Sequence, residues 1–252
     1  MSTLWDNMLL EFVKEYKQSP DTFLRQPTIA KTVHPNCDKL SVKYYNEMIN
    51  NSFFVDNILP GMKDSSVGTP LKFSKHPLCS PLTVQHAYHL YLMVENLETF
   101  IPTDTINHIV EIGGGYGNLC RLIKNYGYEG TYSIVDFPQM LSIQEDYLTK
   151  HAITDVNFSG LDMEQLAPGK NDTSILIATF SINEMPMETR KVLEPHYKDY
   201  DYLFFAHNTS FDGVDNMKYF SDLKETLESE FYINYVKDKY KNSWFMMCQR
   251  RN

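Results

Sequence analysis

Apolar residues recur at Leu4, Met8, Phe12 and Tyr16 within residues 2–18, the spacing of one helix face. A second, weaker stretch of the same kind, rich in tyrosine, covers 39–50, and Pro20, Pro27 and Pro35 interrupt the chain between them. In CSPLTVQHAYHLYLMVENLETFIP, Ser80 is placed to cap a helix and Pro81 to start it. The helical pattern then runs to about Phe100, before Pro102. Residues 1–102 read as mainly helical.

Beyond Pro102 the period changes. Short apolar runs at 107–112, 131–136, 154–158, 173–180 and 201–207 read as strands, and amphipathic helices fit between them at about 117–126, 138–151, 184–196 and 215–230. Such alternation predicts an α/β fold with a mostly parallel sheet and helices on both faces. Two further β-rich runs, 231–237 and 243–249, flank a polar loop at Lys239–Asn242 and predict an antiparallel hairpin, which brings the sheet to seven strands. The chain is expected to divide into a helical region, 1–102, and a sheet region, 103–252.

Composition narrows the functional classes. With 42% apolar residues in 252 a substantial core can form, and a net charge of −9 without a long basic run argues against a nucleic-acid surface. Cys37, Cys79, Cys120 and Cys248 lie far apart with no CxxC pair, which suggests neither a zinc site nor a disulfide framework. The N-terminus carries acids among its apolar residues, and no window approaches a membrane span, so a cytoplasmic protein that meets no membrane is expected.

The chemistry concentrates at HIVEIGGGYG, residues 108–117, where a strand should turn into a helix. In an open α/β sheet, ligands bind beyond the carboxyl ends of the strands, and bare backbone at the first turn lets N–H groups approach them. A dinucleotide fingerprint counted from Gly113 would need its third glycine where Asn118 stands, and the Lys-Ser/Thr of a P-loop is missing. What remains is E-x-G-x-G-x-G: Glu111, Gly113, Gly115 and Gly117. An acid beside this turn suits a cationic ligand better than a pyrophosphate.

This turn resembles motif I of the class I S-adenosylmethionine-dependent methyltransferases, whose Rossmann-like domain the strand and helix pattern would match. The resemblance implies S-adenosyl-L-methionine as cofactor and S-adenosyl-L-homocysteine as product, with the methionine end against Glu111 and the glycines. Asp136, ending YSIVDF 25 residues after Glu111, would accept the ribose hydroxyls, with Phe137 beside it. Asp162 in SGLDME would receive the adenine amino group, with Met163 against the ring. Each acid also has a plainer role open to it: Asp136 could cap the following helix, and Asp162 could be a solvated loop acid.

Read together, VEIGGGYGNLCRLI, SIVDFPQML and ATFSINEMP are similar to the sugar O-methyltransferases of bacterial polysaccharide gene clusters, over about residues 105–210. Asp-Phe-Pro stands here where that family more often has Asp-Leu-Pro. The resemblance implies methyl transfer to a hydroxyl of a sugar, whether nucleotide-activated hexose or heptose or a surface glycan. Such a hydroxyl needs a base as it attacks. Candidates at the ends of the fourth and fifth strands are His207 first, because imidazole titrates near working pH, and Glu184 second. Ser181 is expected near the cofactor, and Asn183 and Asn208 near the acceptor; a loop histidine or a helix-dipole acid is the plainer reading of His207 or Glu184.

His86 and His89, three apart on the helix of 81–100, would face substrate or cofactor if that helix covers the cleft, and otherwise are structural. Tyr116 is a candidate wall of the acceptor side. Tyr44, Tyr45, Tyr88 and Tyr91 suit sugar stacking or, more simply, packing of the leader on the domain. The lysines of VKDKYKNS sit at a hairpin tip, where they keep an edge soluble or meet a nucleotide diphosphate. No metal is expected to be required, since no third ligand joins the histidine pair. The rival readings are a small-molecule O- or N-methyltransferase, a non-catalytic Rossmann-like nucleotide-binding module and, more distantly, a dehydrogenase.

Overall fold

A computed structural model describes residues 3–97, 105–161, 167–170 and 172–251. The leader contains four α-helices: α1 (Thr3–Gln18), α2 (Pro27–Thr32), α3 (Asp38–Met48) and α4 (Pro81–Asn96). The helix α4 starts as its sequence dictates, with Ser80 Oγ accepting the Thr83 N–H at 3.2 Å and Pro81 in the first turn. The expected end at Phe100 and the boundary at 102 lie outside the described residues. One element, α2, was absent from the sequence pattern; it follows Pro27, which can begin a helix as readily as it ends one.

The sheet contains β1 (His108–Ile112), β2 (Thr131–Val135), β3 (Val156–Ser159), β4 (Ser174–Thr179), β5 (Tyr202–Asn208), β8 (Phe231–Lys237) and β9 (Ser243–Arg250), in the order β3-β2-β1-β4-β5-β9-β8. The first five strands pair in parallel, and β9 runs antiparallel between β5 and β8. This is the seven-stranded, mostly parallel sheet with an antiparallel hairpin that the sequence predicts. A small ribbon, β6 (Ser210–Phe211) and β7 (Val214–Asp215), was not foreseen; a Gly213 with φ of 79° makes its turn.

Between the strands run α5 (Asn118–Asn125), α6 (Pro138–Thr149), α7 (Met187–Leu193) and α8 (Asn216–Leu227). The helix expected over 184–196 is shorter, because Pro186 and Pro195 divide the segment into a 3-10 turn at Ile182–Glu184, α7 and a second 3-10 stretch at Glu194–Asp199.

Strand alternation sorts two cores. Ile109, Ile134, Ile177, Phe204 and Phe245 face a cluster built with α5, α6 and the leader. Val110, Leu176, Phe205 and Met246 face a second cluster covered by α7 and α8. The leader thus occupies one face of the sheet and shares its core. One buried polar network fastens it there. Arg121 on α5, fully buried, donates to Asp64 Oδ1 at 2.5 Å and to Asn118 Oδ1 at 2.9 Å, while Asp64 also accepts from Ser80 N and Thr83 Oγ1 at the start of α4. No helix among the described residues is long and apolar enough to cross a membrane.

Candidate active site

A cavity of about 750 Å³ opens between the carboxyl ends of β1, β2 and β4 and the leader. Its floor begins at the glycine turn. Gly113 has φ of 76°, and a Cβ there would meet Ser181 Cβ at 2.3 Å, so the bare backbone is required by the end of β4 pressing on β1 as much as by any ligand. Ser181 Oγ closes that contact by donating to the Ile112 carbonyl. Gly115, at φ of 58°, meets only Val33 at 3.8 Å and faces the cavity. Gly117, at φ of 95°, lies beneath the turn as the N-cap of α5 against Leu148, rather than in the cavity lining.

Three carboxylates among the described residues line the same space. Glu111 is 1% exposed and accepts the Tyr132 hydroxyl at 2.8 Å; burial pushes its pKa up to about 7, with the charge of Asp136 adding to the rise. Desolvation raises Asp136 to about 6, against the lowering effect of the Phe137 N–H at 2.8 Å and the Gln144 amide at 2.7 Å. Desolvation likewise raises Glu184 to about 7, opposed by the ammonium of Lys241. The Glu184 N–H donates to the Ser181 carbonyl at 3.1 Å, and its carboxylate has no hydrogen bond or ion pair among the described residues. Burial is the first cause of the rise for each of the three.

The remaining candidates fall into three groups. Phe137, Ser181, Tyr116, His86, His89 and Asn208 line the cavity with the acids. Tyr116 is nearly buried, however, with its ring against Phe23, His34 and Tyr147 and its hydroxyl 3.3 Å from His34 Nδ1, so it chiefly joins the turn to the leader. His86 is fixed by Asn118 at 3.0 Å, and burial with the nearby Arg121 charge takes its pKa down to about 3. His89 is packed by Phe180, Phe204 and Phe245; its pKa lies well below the usual imidazole value through burial, and its Nδ1 has no partner among the described residues. Both histidines are therefore neutral.

His207 does not reach the cavity. It alternates with Leu203 and Phe205 onto the opposite face of the sheet, where it is fully buried, stacks on Phe220 at 3.9 Å and shares a hydrogen bond with Tyr235 at 2.9 Å. Burial takes its pKa down to about 4. The expectation of a His207 base is corrected on this placement: a period-2 strand that shows Asn208 to the cavity must turn His207 away. Asn183 is also fully buried outside the lining, its carbonyl accepting Arg190 Nη2 at 2.7 Å. Asp162 and Met163 lie outside the described residues.

The sequence reading missed Gln144, whose amide bridges the Gly115 carbonyl at 2.9 Å and Asp136 at 2.7 Å and so ties the turn to the second strand end. A glutamine on the core face of α6, among Met140, Ile143 and Tyr147, was the available signal. Also missed were Trp5, Met8, Lys31 and Gln85, which the leader contributes to the roof; Lys241, one of the hairpin-tip lysines expected to keep an edge soluble or meet a nucleotide diphosphate, lines the cavity from the β8–β9 hairpin.

No protein-family model matches the chain, and no curated protein matches it. Among solved structures, the methyltransferase domain of a bacterial Hen1 overlaps 64% of this chain and 96% of its own, at 10% identity and a TM-score of 0.49. A precorrin-6y C5,15-methyltransferase from Geobacter metallireducens overlaps 66% of this chain and 87% of its own, at 14% identity and a TM-score of 0.45. A chain of the Pnkp1/Rnl/Hen1 RNA repair complex overlaps at 13% identity and a TM-score of 0.48, and this chain spans only 40% of its length.

Proposed function

We propose that the chain is an S-adenosylmethionine-dependent O-methyltransferase whose acceptor is a sugar hydroxyl. The observation that carries the reading is the set of three carboxylates around a cavity that starts at a glycine turn. Glu111 and Asp136 end neighbouring parallel strands, and both await a ligand with positive charge and hydroxyls. The residues present fit such a cofactor: Glu111 and the Gly113–Gly115 backbone would hold its ammonium-bearing end, and Asp136 its ribose. When bound, the cofactor supplies an electrophilic methyl group on a sulfonium sulfur.

The chain's own contribution is positional and basic. Tyr132 fixes the Glu111 carboxylate, and Gln144 fixes that of Asp136. Glu184, held by the 3-10 turn after β4, takes the hydroxyl proton, because its pKa near 7 lets it be ionised yet basic at neutral pH. Trp5, Phe137 and Phe211 offer flat apolar faces suited to a sugar ring, and the motif resemblance of residues 105–210 supports a sugar acceptor. Four free thiols suit a reducing cytoplasm.

Calorimetry with S-adenosylhomocysteine tests the cofactor reading. Wild-type protein binds it, and Asp136→Ala weakens binding about 10-fold to 100-fold, the range for a hydrogen bond to a charged group. Absence of binding, or indifference to Asp136→Ala, would sink the proposal. A methyl-transfer screen over nucleotide sugars, read by mass spectrometry, tests the acceptor class.

A further inference from the structure

The hairpin between β8 and β9 ends in a loop built to present one side chain. Asp238, only 4% exposed, accepts the Tyr240 N–H at 2.8 Å and Ser243 Oγ at 3.1 Å, while its own N–H donates to the Ser243 carbonyl at 2.9 Å. Tyr44 of α3 donates its hydroxyl to the same carboxylate, and Lys239 pairs with Glu47 of α3 at 2.7 Å. The tip is therefore closed on itself and fastened to the leader, and it does not merely protect an edge.

Lys241 is the residue this loop delivers to the cavity. Its ammonium lies 4.1 Å from the centroid of the Phe180 ring, and no carboxylate pairs with it among the described residues. Phe180 is itself held at a φ of 66°, a conformation costly for a bulky residue, with its N–H fixed on the Ala206 carbonyl at 2.8 Å. Strain of this kind persists where surrounding structure enforces it, and here it keeps the ring under the ammonium. Desolvation lowers the pKa of Lys241, opposed by the charges of Asp238 and Glu184, and the residue remains open to solvent. A second lysine without a partner among the described residues, Lys31, lines the same cavity from α2.

Charge is thus divided within one space. Acids lie at the strand ends, and ammonium groups lie on the hairpin and the leader. A cationic cofactor answers the acids, and its single carboxylate can meet one of the two ammonium groups, which leaves the other for a second anion. We propose that Lys241 binds an anionic group of the methyl acceptor, a phosphoryl or carboxylate group, so that the substrate is a negatively charged sugar derivative and not a neutral one. This rests on the methyltransferase reading for the word acceptor, but the anion site can be tested without it.

Inorganic pyrophosphate and glucuronate serve as probes for the two sources of negative charge, with glucose as the neutral control. Each is titrated by calorimetry into full-length protein with and without S-adenosylhomocysteine, for wild type, Lys241→Ala and Lys241→Arg. At least one anionic probe binds wild type about 10-fold or more tighter than glucose. Lys241→Ala abolishes that preference, and Lys241→Arg retains most of it. Pyrophosphate preference identifies a phosphorylated or nucleotide-activated sugar, and glucuronate preference a uronic acid. Equal weak binding of all three probes, or anion binding unchanged in Lys241→Ala, overturns the proposal. A thermal melt and far-ultraviolet circular dichroism spectrum of Lys241→Ala like those of wild type show that the variant is folded. Loss of cofactor binding in wild type with anion binding intact would instead overturn the methyltransferase reading and leave the anion site standing.

Discussion

The floor and the roof of the cavity are made by different means. The floor uses strand ends and tight turns close together in sequence, 111–115, 135–137 and 179–186, and it contributes all three acids. The roof comes from the leader, with Trp5, Met8, Lys31, Gln85, His86 and His89, and among the described residues it contributes no acid to the lining. On the proposed function, cofactor chemistry would belong to the part that short sequence windows specify, and acceptor chemistry to the part assembled from distant segments. A common sheet floor can serve many acceptors if the roof varies.

The largest effect is expected where roof meets floor. Arg121→Leu leaves Asp64 buried without its cation and lowers stability by about 3–5 kcal/mol in chemical denaturation. A loss below about 1 kcal/mol would mean that roof and floor are not fastened by this pair. Next, Glu184→Gln lowers kcat about 10²–10⁴-fold in a single-turnover methyl-transfer assay, with S-adenosylhomocysteine affinity within about 2-fold of wild type. An unchanged rate removes the base from the floor.

A pH experiment then separates the floor acids from the neutral histidines. Glu111 is raised from 4.5 to about 7 in the folded protein, so the unfolded chain loses its proton first, and wild-type stability falls as pH rises through that window. Glu111→Gln does not titrate. The variant gains on wild type by about 2 kcal/mol between pH 5 and 7.5, a difference in which the opposite contribution of the buried histidines cancels. A constant difference across pH would show that Glu111 is ionised throughout. The smallest effect lies off both surfaces: His207→Ala costs about 1–2 kcal/mol through its lost stacking and hydrogen bond, and leaves cofactor binding and kcat intact. A collapse of kcat at full stability would return His207 to the chemistry.

His207 also shows where sequence reading stops. The strand that carries it was identified from its apolar run, but a run buried on both faces does not announce which alternate residues meet the ligand. The sheet, the glycine turn and the positions of Glu111 and Asp136 were legible because periodicity and turn chemistry act over a few residues. For Lys241 the hairpin tip was legible but not the cavity it meets, since its direction depends on Asp238 meeting Tyr44, 194 positions away. Gln144 and Arg121 lay between these cases: each breaks the apolar face of its helix, a visible anomaly whose partners cannot be named from spacing.

The antiparallel placement of β9 has a consequence for the order of events during synthesis. Residues 243–250 insert between β5 and β8, so the hairpin end of the sheet is completed only after nearly all the described chain has been made. The leader is made first, yet the surface it covers includes Phe245 and Met247 of that late strand. Its apolar face must therefore wait through most of translation for its partner, and the wall bearing Lys241 is the last part of the cavity to exist.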